Sequence, residues 1–105
     1  MLAYNTIISM KARLIRHEKI TDEIGNTIEI KMWQLSGPSE ARRHGYKYSL
    51  VYIEGDTRVI GYDNAEGKGD HRHIRERIEP YRFVSLRKLA EDFSRDVEGY
   101  KKGEL

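Results

Sequence analysis

The residues best suited to chemistry in this chain lie in one short stretch, Gly67-Lys68-Gly69-Asp70-His71-Arg72-His73. His71 and His73 are two residues apart, so in an extended chain both side chains point to the same face. An imidazole has an ordinary pKa near ~6.5 and exchanges protons around neutral pH. The spacing therefore predicts a pair of acid–base groups at His71 and His73.

Charged residues near the two histidines complete the inventory for cleaving RNA without a metal ion. In that reaction a base takes the 2′-hydroxyl proton, an acid protonates the leaving 5′-oxygen, and cations neutralise the phosphoryl oxygens. Asp70 is predicted to orient an imidazole, with Asp63 as a second carboxylate able to do so. The cations predicted to act in catalysis are Lys68 and Arg72. The residues predicted to bind substrate are Arg42, Arg43, Tyr62, Asp63 and Arg82.

Two other interpretations of this stretch stay open. A glycine-containing charged loop is commonly solvated surface, and its basic side chains would then serve a non-catalytic module that binds RNA or a partner. Alternatively, Asp70, His71 and His73 hold Zn²⁺ or Mn²⁺, with Asp63 or Glu79 completing the site of a metal-dependent nuclease. The His-x-His spacing is a weak metal signal, and the neighbouring cations oppose metal binding. The preferred interpretation therefore has no metal and no cofactor.

Composition limits the class of protein that carries these residues. The chain has 105 residues, of which 38% are hydrophobic and 34% charged, so we expect a single domain over residues 1–105. Because cysteine is absent, disulfide scaffolds, thiolate metal sites and cysteine nucleophiles are excluded. The formal net charge of +2 means that nucleic acid would be bound by a local patch. No apolar run approaches the ~20 residues that span a bilayer, and no secretory signal is present, which predicts a cytoplasmic protein without a membrane partner.

Residues 10–64 predict a series of strands, from apolar alternation and from enrichment in tyrosine, valine and isoleucine. The predicted strands are Lys11–Lys19, Thr27–Leu35, Tyr46–Glu54 and Thr57–Asp63. Gly61 inside the last strand indicates a bulge or a close backbone approach. Residues 1–9 are assigned as an extension before the strands, and residues 65–80 as a loop that contains the histidines.

The C-terminal residues predict an amphipathic helix over residues 85–101. Ser85 is a favourable N-cap, and apolar residues recur at helical spacing after it. These residues are Leu86, Leu89, Phe93, Val97 and Tyr100. The predicted fold is therefore α+β: an antiparallel sheet of four to five strands with this helix packed on one face and the histidine loop at the end of the sheet.

Several of these motifs together resemble the TumE-like toxins of prokaryotic toxin–antitoxin systems. The matching residues are Tyr62-Asp63-Asn64, the run from Gly67 to His73, Glu79-Pro80-Tyr81-Arg82-Phe83-Val84-Ser85, Leu89 and Asp92-Phe93. The resemblance extends from Met10 to about Val97. It implies a small growth-inhibiting toxin that acts on RNA or translation, and a helix-turn-helix antitoxin that neutralises it. The predicted partners are RNA, that antitoxin and a second copy of the chain.

Overall fold

The computed structural model describes residues 12–40, 42–65 and 69–105. The elements are β1 (Ala12–Thr21), β2 (Asn26–Leu35), β3 (Tyr46–Glu54), β4 (Thr57–Asp63), β5 (His71–Ile74), β6 (Arg77–Pro80) and α1 (Leu86–Lys101). The strands form one antiparallel sheet in the order β1-β2-β3-β4-β5-β6, so each strand pairs with the next one along the chain. The α+β class with one C-terminal helix is confirmed, and the six strands exceed the predicted four to five. The predicted extension over residues 1–9 lies outside the described residues.

The loop predicted over residues 65–80 is wrong for most of its length, because β5 and β6 form a hairpin there. The hairpin turns at Arg75-Glu76, and Arg75 has a left-handed backbone with φ 55°. Residues other than glycine and asparagine are unfavourable in that conformation. The Arg75 guanidinium lies 5.2 Å from the centre of the Tyr100 ring on α1, and this cation–π contact offsets part of the cost.

Helix α1 begins and packs as its sequence pattern predicts. The Ser85 hydroxyl accepts a hydrogen bond from the backbone N–H of Lys88 at 3.0 Å and so caps the first turn. Leu89, Phe93 and Val97 are buried against the sheet, and each contributes about 1.5–3 kcal/mol through burial. Within the described part of the chain, no helix is long and apolar enough to cross a membrane.

Helix α1 covers one face of the sheet, and the opposite face, which we call the open face, carries polar side chains. Cross-strand partners in an antiparallel sheet point to the same side, so the strand register shows which residues share this face. One row of partners crosses five strands through His17, Lys31, Ser49, Asp63 and His71. The register therefore places Asp63 and His71 at one end of a row whose other end holds the basic residues His17 and Lys31.

Candidate active site

The pairing of β4 with β5 brings Asp63, His71 and His73 together on the open face. Asp63 is the cross-strand partner of His71, and Gly61 is the partner of His73. Asp63 Oδ1 lies 2.8 Å from His71 Nε2, and Asp63 Oδ2 lies 3.6 Å from His73 Nε2. The centres of the two imidazole rings are 4.8 Å apart, with the rings at 68° to each other. One carboxylate thus lies beside both histidines.

Both ring nitrogens of His71 face oxygen atoms that can only accept hydrogen bonds. Its Nδ1 lies 3.1 Å from the carbonyl oxygen of Gly69, which accepts a hydrogen bond and cannot donate one. Its Nε2 faces the Asp63 carboxylate, which is also an acceptor. The Nδ1 contact has the geometry of a hydrogen bond, whereas the Nε2 contact with Asp63 is a close charge contact. His71 is therefore arranged as a proton donor.

The contacts of His73 favour the neutral form. Arg58 Nη2 lies 3.1 Å from His73 Nδ1, and a guanidinium can only donate, so Nδ1 accepts the hydrogen bond. Burial of His73 and the positive charge of Arg58 lower the pKa of the imidazole below its ordinary value of 6.5. The His73 side chain is 10% exposed, compared with 15% for His71. The two neighbouring histidines thus differ in their contacts, since His71 faces acceptors and His73 faces a donor.

Gly61 makes room for the arginine that contacts His73. A Cβ atom at this position would lie 3.2 Å from Cδ of Arg58, so the Arg58 side chain passes directly over the glycine. The register of β3 and β4 shifts near the same place, between the Tyr52–Ile60 and Ile53–Arg58 pairs. The close approach indicated by Gly61 is thus made by a side chain, and it delivers a cation to the acid–base pair.

An open cleft gives access to the two histidines. It has a volume of about 340 Å³ and lies over the β5–β6 end of the sheet. Its lining residues are Asp70, His71, His73, Ile78, Glu79 and Pro80. Ile78 and Pro80 are the cross-strand partners of His73 and His71, which places apolar side chains beside the polar centre.

The family model of the toxin TumE matches residues 6–101, which is nearly the whole chain. The chain belongs to the TumE toxin family. It is therefore the toxin of a toxin–antitoxin system, with an antitoxin as its partner. The match confirms the resemblance seen in the motifs and extends it on both sides of the range from Met10 to Val97. No curated protein and no solved structure matches the chain.

In the structure, Asp70 contacts His44, a histidine that was not among the predicted site residues. His44 Nε2 lies 3.0 Å from Asp70 Oδ1, and the Tyr48 hydroxyl donates to the same oxygen at 2.8 Å. Burial and this hydrogen bond raise the pKa of Tyr48, so its hydroxyl stays a donor. Asp70 lines the cleft, but its carboxylate points away from His71 and His73. Asp70 therefore shares the cleft with His71 and His73, whereas Asp63 is the carboxylate that lies against both imidazoles.

Arg72 and Tyr62 lie on the helix-covered side of the sheet. Arg72 Nε lies 3.0 Å from Asp96 Oδ2 on α1, and Arg72 Nη1 lies 3.4 Å from Glu79 Oε1. The Tyr62 hydroxyl donates to the same Asp96 oxygen, and both burial and this hydrogen bond raise the pKa of Tyr62. Both residues thus hold the helix on the sheet, and the structure does not bring them together with the two histidines.

The remaining predicted residues are dispersed. Arg42 Nε donates to the carbonyl oxygen of Asn64 at 3.2 Å and so supports the chain between β4 and β5. Arg43 and Arg82 are exposed and form no hydrogen bond or ion pair with Asp63, His71 or His73, all of which the structure describes. Lys68 lies outside the described residues. Among the residues that the structure describes, the cation in contact with the pair is Arg58, and it has no sequence signal beyond its place in the same strand as Gly61 and Asp63.

Proposed function

We propose that the toxin is a metal-independent endoribonuclease whose acid–base centre consists of His71, His73 and Asp63. The observation that carries the proposal is a pair of adjacent imidazoles, one of which faces acceptors while the other faces a donor. Cleavage of RNA through its 2′-hydroxyl needs one group that accepts a proton and one that donates a proton. Each such group typically contributes ~10²–10⁴ in rate, so a small cluster is sufficient for a slow nuclease.

His71 serves as the general acid in this proposal. The imidazolium gives a proton to the 5′-oxygen as the bond between phosphorus and that oxygen breaks. The Asp63 carboxylate lies 2.8 Å from Nε2 and holds the ring in place by charge attraction. The carboxylate also stabilises the positive charge that the acid carries before transfer.

His73 serves as the general base once substrate engages Arg58. In the free toxin the Nδ1 lone pair accepts a hydrogen bond from Arg58. A phosphate oxygen is a stronger acceptor for the guanidinium than a neutral imidazole, so substrate draws Arg58 to the phosphate. The freed Nδ1 then takes the proton of the 2′-hydroxyl, and the 2′-oxygen attacks phosphorus. The products are a 2′,3′-cyclic phosphate and a 5′-hydroxyl.

The metal-dependent alternative has one observation in its favour and one against it. The ligand atoms of Asp63, His71 and His73 lie within 4.8 Å of one another, and the Nδ1–H of His71 donates to a carbonyl as in many histidine ligands. However, Nδ1 of His73 accepts from Arg58, which leaves the proton on Nε2, the atom that faces Asp63. A protonated nitrogen cannot coordinate a metal, and the guanidinium repels a cation, so we favour the metal-independent reaction.

The proposal is tested by incubating total RNA with purified toxin, freed from its antitoxin, in excess EDTA. A His71→Ala/His73→Ala double variant is treated in parallel. We expect wild-type toxin to cleave and the double variant to be inactive. Equal cleavage by both proteins, or no cleavage by either, would defeat the acid–base proposal. Activity that appears only after Mn²⁺ or Zn²⁺ is added would replace it with the metal-dependent one.

The partners and location belong to the same proposal. RNA is the substrate, the antitoxin is a helix-turn-helix protein, and the site of action is the cytoplasm, where the RNA is found. Dimerisation of the toxin stays a prediction, to be checked by light scattering of the purified protein. A monomer mass at every concentration would remove it.

A further inference from the structure

The open face carries lysines on the row that leads to the acid–base pair. Lys31 on β2 is the cross-strand partner of Ser49 on β3, and Ser49 is the partner of Asp63. Neighbouring strands are about 4.8 Å apart, so the backbone of Lys31 lies about 10 Å from that of Asp63. The Lys31 side chain is 39% exposed, and the small Ser49 is the side chain between them on the row.

A lysine–tryptophan pair lies beside this row. Trp33 on β2 and Lys47 on β3 are cross-strand partners, and the Lys47 ammonium lies 5.1 Å from the centre of the Trp33 ring. The cation–π contact holds the ammonium over a flat aromatic surface on the open face. Both side chains are partly exposed. Cations next to an aromatic surface on an uncovered sheet are the combination with which proteins bind unpaired nucleotides.

The charges of the open face favour a polyanion over a basic partner. Glu29 is the one carboxylate of β2 on this face, and it is already engaged by His17 Nε2 at 2.9 Å and by Lys31 Nζ at 3.8 Å. Lys47 and Arg58 are directed to the face by Trp33 and His73, respectively. The cations thus lie on both sides of Ser49, one set near Trp33 and the other at the acid–base pair.

We propose that the open face binds single-stranded RNA, with Lys31 and Lys47 on its phosphates and a base against Trp33, and that the strand passes Ser49 to reach Asp63 and His71. This inference rests on the proposed ribonuclease function and specifies its substrate class. A single strand is favoured because its bases are free to contact an aromatic side chain, whereas those of a duplex are stacked and paired.

The test measures binding of a fluorescent 12-nucleotide RNA in which every 2′-hydroxyl is methylated. This probe lacks the nucleophile, so its affinity is independent of cleavage. The test variant is Lys31→Glu/Lys47→Glu, and the matched control is Arg87→Glu/Lys102→Glu, which makes the same charge change on and just after α1. We expect the test variant to lose affinity at least tenfold and the control to stay within twofold of wild type. We also expect the slope of log K against log salt to decrease by about 1.4, since two phosphate contacts are lost.

Equal losses in the two double variants, or no loss in either, would overturn the inference. Retained RNA affinity with lost binding of the antitoxin would assign the open face to the antitoxin instead. A duplex of the same sequence should compete less well than the single strand, and stronger competition by the duplex would also contradict the proposal. If the expected binding is found but unmodified RNA is not cleaved, the ribonuclease proposal fails while the RNA-binding face stands.

Discussion

The described part of the toxin contains two histidine–aspartate pairs with nearly the same separation between nitrogen and oxygen, and they differ in what their outer atoms contact. His71 Nε2 lies 2.8 Å from Asp63 Oδ1, and His44 Nε2 lies 3.0 Å from Asp70 Oδ1. The exposed fractions are also close: 15% and 21% for the first pair, 16% and 18% for the second. Distance and burial therefore do not distinguish them.

The difference lies in the contact of the other ring nitrogen, which is a backbone N–H for His44 and a backbone carbonyl oxygen for His71. His44 Nδ1 accepts from the backbone N–H of Tyr46 at 3.1 Å, and its ring is stacked on Phe83 with the ring centres 3.8 Å apart. Both nitrogens of His44 thus have fixed roles, and Tyr48 also donates to Asp70. The Asp63–His71 pair instead lies beside a second imidazole, and the His71 ring itself lines the open cleft. A histidine–aspartate pair becomes a candidate for catalysis when its neighbours leave a proton free to move.

The largest expected effect is on the rate of RNA cleavage, which should distinguish His71 from His44. His71→Gln should lower the rate of RNA cleavage by about 10²–10⁴-fold, because the proton donor is lost while the fold is retained. His44→Gln should leave the rate within threefold of wild type and lower the melting temperature instead. Initial rates on a labelled RNA, together with thermal unfolding of each variant, check both statements. A rate loss in His44→Gln that matches the loss in His71→Gln would make the two pairs equivalent.

The two carboxylates give the next largest contrast. Asp63→Asn should reduce cleavage on the order of 10²-fold, since the amide no longer stabilises the imidazolium of His71. Asp70→Asn should cost about 1–3 kcal/mol of unfolding free energy, because His44 and Tyr48 lose a charged acceptor. Urea denaturation and cleavage rates of the two variants are measured side by side. If Asp70→Asn is the inactive one, Asp70 belongs in the site as the sequence first indicated.

A smaller effect is expected from the tyrosine that supports the structural pair. Tyr48→Phe removes a single hydrogen bond to Asp70 and should cost about 1 kcal/mol of unfolding free energy. The cleavage rate of the folded variant should be unchanged. Tyr46→Phe is the matched control, because the contact between Tyr46 and His44 uses the backbone N–H. Activity that falls in Tyr48→Phe at constant stability would link the two pairs.

The smallest effect concerns the pH dependence of cleavage. Arg58 lowers the pKa of His73, so in wild-type toxin the base stays unprotonated below the ordinary value of 6.5. Arg58→Gln should raise that pKa and shift the acidic limb of the pH–rate profile to higher pH. Arg77→Gln, which removes an exposed cation of β6, should leave the limb in place. The position of the limb is the readout, since loss of Arg58 also lowers the rate itself.

Much of the fold followed from local patterns. The N-cap at Ser85 and the apolar spacing of α1 predicted the helix, and the turn at residues 55–56 predicted the β3–β4 hairpin. The β5–β6 hairpin was missed because its turn uses Arg75-Glu76, whereas two-residue hairpins are usually recognised by asparagine–glycine or aspartate–glycine. Its strands are only four residues each, too short for alternation to be distinguished from a charged loop.

The candidate site was predicted in part, and the error has a physical reason. His71 and His73 were correctly placed on one face, because the alternation of a strand is a local property. The choice between Asp63 and Asp70 depends on the register between β4 and β5. This register cannot be inferred from how far apart the residues lie in the sequence. Asp70 is adjacent to His71 in the chain, but Asp63 is its partner across the sheet. Arg58 was missed for the same reason.

The central claim is tested most directly by identifying the ends of the cleaved RNA. A defined single-stranded RNA is incubated with purified toxin in EDTA, and the fragments are analysed by mass spectrometry. Acid–base catalysis by His71 and His73 predicts 2′,3′-cyclic phosphate and 5′-hydroxyl ends, with no product when a single 2′-hydroxyl at the cleavage site is methylated. Fragments with 5′-phosphate ends, or continued cleavage of the methylated RNA, would contradict the account.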